Sequence, residues 1–323
     1  MNILVTGGAG YIGSHVARQL SESGSKPIIL DNLSAGFKEA LINNEILVEG
    51  DVGDVELVSS VIRKYQIDSV LHFAASIVVP ESVSDPLKYY RNNTLNTLQL
   101  ISVCAKEGVK NFIFSSTAAV YGLPKDGMAK EEDLCDPLSP YGSSKFCSEM
   151  ILKDVAAAHK LKYVVLRYFN VAGADPKHRT GQRSLKATHL IKVVCETIVG
   201  KREKVEIFGS DYKTRDGTCI RDYIHIEDLA AAHLLALDYL REGSPSTTLN
   251  VGYGKGNSVA EVIEVAKKVS GIAFNTEMKG RRPGDAGVLI ARAEKLRALL
   301  GWKPKFDSLE KIISDALEWE KKL

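Results

Sequence analysis

The chain opens with a short apolar strand over residues 2–6, a turn that holds Gly7, Gly8, Gly10 and Gly13, and the start of a helix. Few folds demand that combination. A strand that feeds a glycine-rich turn and a helix brings backbone against a pyrophosphate with no Cβ in the way, and offers it the helix N–H groups and positive dipole end. A second apolar strand follows over 27–31 and ends in Asp31, 18 residues after Gly13. About 20 residues is the spacing of a carboxylate that grips an adenosine ribose. Together these features predict a βαβ unit that binds a dinucleotide.

The pattern then repeats. Val-, Ile-, Leu- and Phe-rich runs at 2–6, 27–31, 46–51, 69–74, 111–116 and 163–170 read as strands. They show little alternation, as parallel strands covered on both faces do. Amphipathic stretches at about 11–24, 54–66, 84–108 and 141–159 lie between them. The expectation is an α/β fold, a Rossmann-type doubly wound parallel sheet. After Asn170 the texture changes. A loop over 171–186 leads to a helix at 187–200, a strand from Val205 to Phe208 and a polar loop at 209–219. Further helices are expected at 226–241, at 258–270 (capped by Asn257 or Ser258, with Gly271 beyond its end), at 293–300 and at 308–322. A chain of 323 residues divides into two domains on this reading: 1–170 plus about 221–250 for the dinucleotide, and a smaller, discontinuous α/β domain from about 171–220 plus 251–323 for substrate.

Composition narrows the function classes. The net charge of +2 carries no field toward nucleic acid or a membrane surface, and no apolar run approaches 18 residues. No signal-peptide pattern precedes the first strand. Five scattered cysteines without a C-x-x-C, and seven histidines without H-E-x-x-H, suggest neither a disulfide framework nor a metal site. A cytoplasmic, metal-free enzyme is expected.

Two segments carry chemistry. Phe114-Ser115-Ser116-Thr117 closes the fifth strand, and ligands sit outside strand ends in such sheets. Downstream, Tyr141 and Lys145 are i and i+4 and share a helix face. A phenol titrates near ~10 and is a poor base at neutral pH. A nearby ammonium, helped by a positively charged nicotinamide, is expected to lower it, which makes Tyr141 a general base for a hydroxyl proton. The Thr117 hydroxyl would hold the same substrate oxygen.

With these residues in view, the chain resembles the extended short-chain dehydrogenase/reductase family over nearly its full length, and within it the UDP-hexose 4-epimerases. The most specific matches are Asp216-Gly217-Thr218-x-x-Arg221-Asp222-Tyr223-Ile224-His225, Asn250-Val251-Gly252 and Arg281-Arg282-Pro283-Gly284-Asp285. The resemblance implies NAD as cofactor, held by Gly7, Gly10, Tyr11, Ile12, Gly13, Asp31, Asn32, Ser34, Asp51, Val52, Phe73, Ala74, Ala75, Asn92, Ser115, Tyr141, Lys145 and Tyr168. It implies that Thr117, Tyr141, Asn170, His189, Leu190, Phe208, Arg221, Arg282 and Asp285 bind a UDP-sugar, and that Tyr141, Lys145 and Thr117 are catalytic. The arginines also have their own rationale, since two phosphates call for fixed forks of N–H donors. The resemblance further implies a homodimer built on the helices at about 84–108 and 141–159.

The chain departs from the family pattern in places. Ile77 stands where many members have a phosphate-binding lysine, Thr117 replaces a more common serine, and His189 falls where some members have Asn-Asn-Leu. Leu289 occupies a pocket-size position that holds a bulky tyrosine in some members and a smaller residue in those that take N-acetylated sugars, so leucine settles neither. Three rival readings differ from this one at identifiable residues. Dehydratases and decarboxylases of this type carry acids where Ala118 and Ala119 stand here. Asp31 would repel the 2′-phosphate of NADP. A non-catalytic NAD sensor has no need of Thr117, Tyr141 and Lys145 together. N-acetylated, pentose and uronic acid donors of the same 4-epimerisation share the catalytic set and stay open.

Overall fold

The computed structural model describes residues 2–184, 187–282 and 285–323. They form two compact units, the first made of 2–120, 135–167 and 230–249, the second of the described residues within 121–134, 168–229 and 250–323.

The first unit is built on a seven-stranded sheet. From edge to edge its strands are Thr247–Val251, Lys162–Tyr168, Asn111–Thr117, Ser69–His72, Asn2–Thr6, Lys26–Asp31 and Ile46–Glu49. The five from Asn111–Thr117 to Ile46–Glu49 pair in parallel. The chain starts in the middle and winds outward both ways, as the alternation of apolar runs and amphipathic stretches predicts. Leu4, Ile28, Leu30, Val70, Phe112 and Phe114 pack into one buried cluster with Val58, Val61, Leu100, Ile101 and Leu152 of the helices. The alternate strand residues Ile3, Val5, Ile29, Leu71 and Ile113 are equally buried, so the sheet is covered on both faces. Burial on both faces is what removed the polar alternation from these strands.

The stretch at 84–108 is not one helix. It comprises helices Val79–Ser84 and Pro86–Tyr89, a π-helical segment Tyr90–Leu95 and the helix Asn96–Glu107. Asp85-Pro86 breaks the first junction, because a residue before proline is driven out of the α region and Asp85 caps the next helix through Lys88 N. The π segment is held from outside. Asn93 bonds the backbone of Ser76 in both directions and reaches Ser144 Oγ at 3.1 Å, and Ser148 Oγ donates to Asn93 O at 2.8 Å.

The second unit is organised around the strand Ile220–His225. It pairs antiparallel with Gly256–Ser258 and parallel with Val288–Ala291 and Asn170–Ala172, while Met128–Ala129 adds to Val288–Ala291. Lys204–Phe208 and Asn275–Lys279 form a separate parallel pair. Helices Leu190–Ile198, Val259–Ser270 and Leu309–Glu320 pack on one another. Ser258 and Glu261 form a reciprocal capping box, and Gly271 ends that helix in the left-handed region, as expected.

These pairings move the boundaries expected from sequence. Residues 221–229 belong with the second unit, because Ile220–His225 finds its hydrogen-bonding partners there. Residues 121–134 join it too, through the short strand Met128–Ala129.

Candidate active site

The glycine-rich turn has little room for side chains. Gly7 has φ +69°, and a Cβ there would lie 2.5 Å from Ala74 N; a Cβ at Gly13 would lie 2.3 Å from Gly7 O. The turn is therefore locked against the strand end at Ala74 and against its own helix. Gly10 precedes the helix Tyr11–Glu22 and supplies no side-chain cap, and the first turn, with Tyr11 and Ile12 half-buried, holds no acid. Backbone donors and the positive helix end thus remain suited to an anion.

The carboxyl ends of the second and third strands supply a set of polar groups. Asp31, buried, accepts Ala9 N–H at 2.9 Å and Leu33 N–H at 2.8 Å. Burial raises its carboxyl above the ordinary value, against the opposing pull of those two N–H groups. Asn32 donates to Asp51 at 2.8 Å and accepts Ser34 Oγ–H at 2.7 Å; Asp51 also accepts Gly53 N–H at 2.8 Å, and buried Val52 follows it. Phosphate donors and ribose acceptors at this spacing fit a dinucleotide that lacks a 2′-phosphate.

Farther along the strand ends, Phe73, Ala74 and Ala75 follow the fourth strand. The Phe73 ring meets His233 at 4.9 Å, and His233 Nε2 lies 3.4 Å from Ser115 Oγ. Asn92 donates to Ser76 Oγ at 3.0 Å. Ile77, in the lysine position, is exposed and apolar and brings no charge to a phosphate. Tyr168 closes the strand Lys162–Tyr168 and is counted with the second unit.

The catalytic candidates meet in the first unit. Ser139 caps the helix Pro140–Ala158 through Gly142 N, and Pro140 takes its first position. Tyr141 and Lys145 project from one face, only 8% and 3% exposed. The Thr117 hydroxyl accepts Ala119 N–H at 3.1 Å and acts to lower the Tyr141 phenol. Lys145 Nζ lies 4.3 Å from the centroid of the Phe114 ring, whose stacking partner is His72. His72 is fully buried between Thr6 Oγ1 at 2.6 Å and Thr97 Oγ1 at 2.9 Å; burial and Lys145 together bring it down to about 3, so it is neutral.

One electrostatic expectation is corrected here. Tyr141 stands above its ordinary value, not below it: burial raises the phenol, and what opposes burial is the Thr117 hydrogen bond rather than Lys145. The reason is mutual desolvation. Burial also brings Lys145 down to about 7, with Glu149 as the opposing influence.

The second unit holds a different constellation. The Arg221 fork donates to Ile220 O at 2.9 Å and to Asp285 Oδ1 at 3.2 Å. Arg282 lies over the Phe208 ring at 3.6 Å. Next to it, Arg281 lies over Tyr212 at 4.1 Å and pairs with Asp211 at 2.7 Å. His189 precedes the helix Leu190–Ile198 and contacts Gln182 Nε2 at 3.2 Å, and burial lowers its imidazole. Asn170 opposes Tyr223, and Leu289 opposes Arg221, in the parallel registers of the central strand. Pro283 and Gly284 of the arginine motif lie outside the described residues.

Against known proteins, the NAD dependent epimerase/dehydratase family matches residues 3–252. The chain belongs to this family. A UDP-glucose 4-epimerase of Azospirillum brasilense is 53% identical over 321 residues, which are 99% of this chain and 92% of that one. The crystal structure of a UDP-glucose 4-epimerase from Brucella ovis in complex with NAD superposes with a TM-score of 0.95 at 41% identity, covering 98% of this chain and 97% of its own. A UDP-Glc/GlcNAc 4-epimerase from Campylobacter jejuni superposes at 0.87 with 50% identity, covering 100% and 99%.

Sequence reasoning missed several members of the constellation. Asn96 donates to Asp51 Oδ1 at 2.9 Å, 45 residues away. His233 lies 118 residues from the Ser115 it contacts. Tyr212 and Asp211 hold Arg281 from a loop read only as polar. None of these shares a local motif with its partner. The rules that served for the catalytic candidates, i, i+4 spacing and strand ends, are local, and they singled out Tyr141, Lys145 and Thr117.

Proposed function

We propose that this chain inverts carbon 4 of a UDP-hexose, interconverting UDP-galactose and UDP-glucose through a 4-keto sugar, with NAD held throughout. The observation that carries this reading is the buried set of Thr117 at a strand end, with its hydroxyl favouring ionisation of the Tyr141 phenol, and Lys145 one helical turn behind Tyr141. NAD supplies the redox chemistry of carbon 4 when bound. Tyr141 takes the 4-hydroxyl proton at its phenolic oxygen and returns it on the way back. Thr117 holds the same oxygen by its hydroxyl. Lys145 favours the phenolate while it is charged, and the cation of the nicotinamide adds to that pull.

The cradle of Gly7, Gly10, Tyr11, Ile12 and Gly13, with Asp31, Asn32, Ser34, Asp51 and Val52, takes the dinucleotide. Phe73, Ala74, Ala75, Asn92, Ser115 and Tyr168 line its nicotinamide side. Arg221 and Arg282 take the diphosphate of the donor, and Asn170, His189, Leu190, Phe208 and Asp285 the rest of its nucleotide. Ala118 and Ala119 offer no acid for dehydration, which supports epimerisation over that rival. A homodimer is part of the proposal. Leu87, Tyr90, Leu95, Leu98 and Met150 are exposed apolar groups on the segments expected to pair, a density of apolar surface that suits a second copy. So is a cytoplasmic location, which suits the buried free thiols of Cys104, Cys195 and Cys219.

The test is an epimerisation assay without added NAD, with UDP-galactose and UDP-N-acetylgalactosamine given side by side and the carbon-4 epimers resolved. Conversion of UDP-galactose is the expected result. No conversion of either donor, even after NAD is added, overturns the proposal.

A further inference from the structure

Tyr141 and Lys145 are not the end of their row. Glu149 follows at i+4 from Lys145 on the same helix and is also buried. Its carboxylate is held on two sides. The Arg167 fork, from the neighbouring strand, donates from Nη2 to Oε2 at 2.6 Å and from Nε to both oxygens at 3.1 Å. Ser116 Oγ donates to Oε1. Ser116 is the residue before Thr117. One carboxylate therefore ties together the helix of Tyr141 and Lys145, the strand that ends in Thr117 and the adjoining strand.

We propose that Glu149 is a positioning residue for the reaction: fixed by Arg167 and Ser116, it keeps Lys145 a cation beneath Tyr141 and sets the Thr117 strand end against the phenol. The proposal rests on the epimerase reading above. A buried carboxylate–guanidinium pair is a poor way to gain stability alone, because desolvation of both ions offsets their attraction. Its location gives it another use. Among the described residues, the groups that face Lys145 are Tyr141 and Glu149 on its own helix, neutral His72 from the Ser69–His72 strand and the Phe114 ring from Asn111–Thr117; Arg167 lies beyond Glu149. Glu149 is the one anion among them. It alone opposes the burial that brings Lys145 down to about 7. Without its charge Lys145 releases its proton at a lower pH, and the phenolate loses its cation there.

Glu149→Gln keeps the shape of the side chain and removes the charge. Two readouts follow on the protein as purified. In the rate profile, the alkaline limb of kcat moves down by about one pH unit or more, while KM for the UDP-sugar changes less than about twofold. In a 13C-lysine NMR titration, with the Lys145 signal assigned through Lys145→Met, the titration midpoint moves in the same direction. The double variant Glu149→Gln/Arg167→Gln leaves no orphaned buried charge, so it stays folded where the single one does not; it predicts the same direction. A uniform loss of rate with an unmoved limb, or an unmoved Lys145 midpoint, overturns the proposal and leaves Glu149 a purely structural ion pair. Wild-type protein inactive on every UDP-sugar overturns the epimerase reading instead, and the NMR arm still decides whether Glu149 sets the charge of Lys145.

Discussion

The first and second units hold their functional groups in opposite ways. In the first, Ser115, Thr117, Tyr141, Lys145 and Asp31 are all buried, and strand or turn backbone anchors several of them. In the second, most of the charged side chains lie nearer solvent: Arg281 and Asp211 are 46% and 74% exposed and Asp285 is 35% exposed, Arg281 and Arg282 rest on rings, and Arg221, 13% exposed, is the most enclosed of these. Burial fixes a geometry and moves proton affinities, which chemistry at a single carbon requires. Partly exposed arginines over aromatic rings keep their charge and can exchange a ring contact for a phosphate oxygen at small cost. The difference teaches that one region is built to be altered chemically by its surroundings, and the other to stay charged and adapt.

Substitutions break or sharpen that contrast. Tyr141→Phe removes only the proton acceptor from the buried set, so kcat falls about 10²–10⁴-fold while NAD stays with the purified protein; steady-state rates and the cofactor content of the same sample check both. Lys145→Ala comes next. Lys145 is an ammonium below about pH 7 and loses that charge above it. Its removal takes away the cation proposed to favour the phenolate and leaves only the Thr117 hydroxyl to oppose burial, so the acid limb of the rate profile moves to higher pH and the maximum falls; an unmoved limb means the lysine does not tune the phenol. Arg282→Ala, in the adaptable region, should raise KM for the UDP-sugar about 10-fold or more and leave the pH profile in place; a shifted profile would erase the distinction between the regions. The smallest effect is expected at Leu289, which opposes Arg221 in register. Leu289→Tyr should reduce the rate with UDP-N-acetylgalactosamine relative to UDP-galactose, read as a ratio of kcat/KM, and an unaltered ratio removes Leu289 from the pocket.

The same contrast explains what could be read from the chain. The central strands were legible because burial on both faces writes an uninterrupted apolar run into the sequence, and Tyr141 with Lys145 because helical spacing is local. Asn275–Lys279 was missed: it pairs with one neighbour, is mostly exposed, and carries Asn, Thr, Glu and Lys, which have no strand period. Met128–Ala129 and Gly256–Ser258 are too short to show any. The π segment at Tyr90–Leu95 depends on Asn93 and its tertiary bonds, so its local sequence reads as ordinary helix. The direction of the Tyr141 shift was misjudged for a related reason. Spacing reveals which charge stands near a phenol, but not how much water both have lost.

Asp31 has a consequence for inheritance and engineering. In the function proposed above its carboxylate selects a ribose, and the same two oxygens hold the N–H groups of Ala9 and Leu33. Replacing it to admit a phosphorylated cofactor therefore also unfastens the turn that cradles the pyrophosphate. Coenzyme preference in this chain is not a detachable module. A lineage that changed it would have to rebuild the turn in the same step, or acquire first a neighbour able to take over both backbone donors.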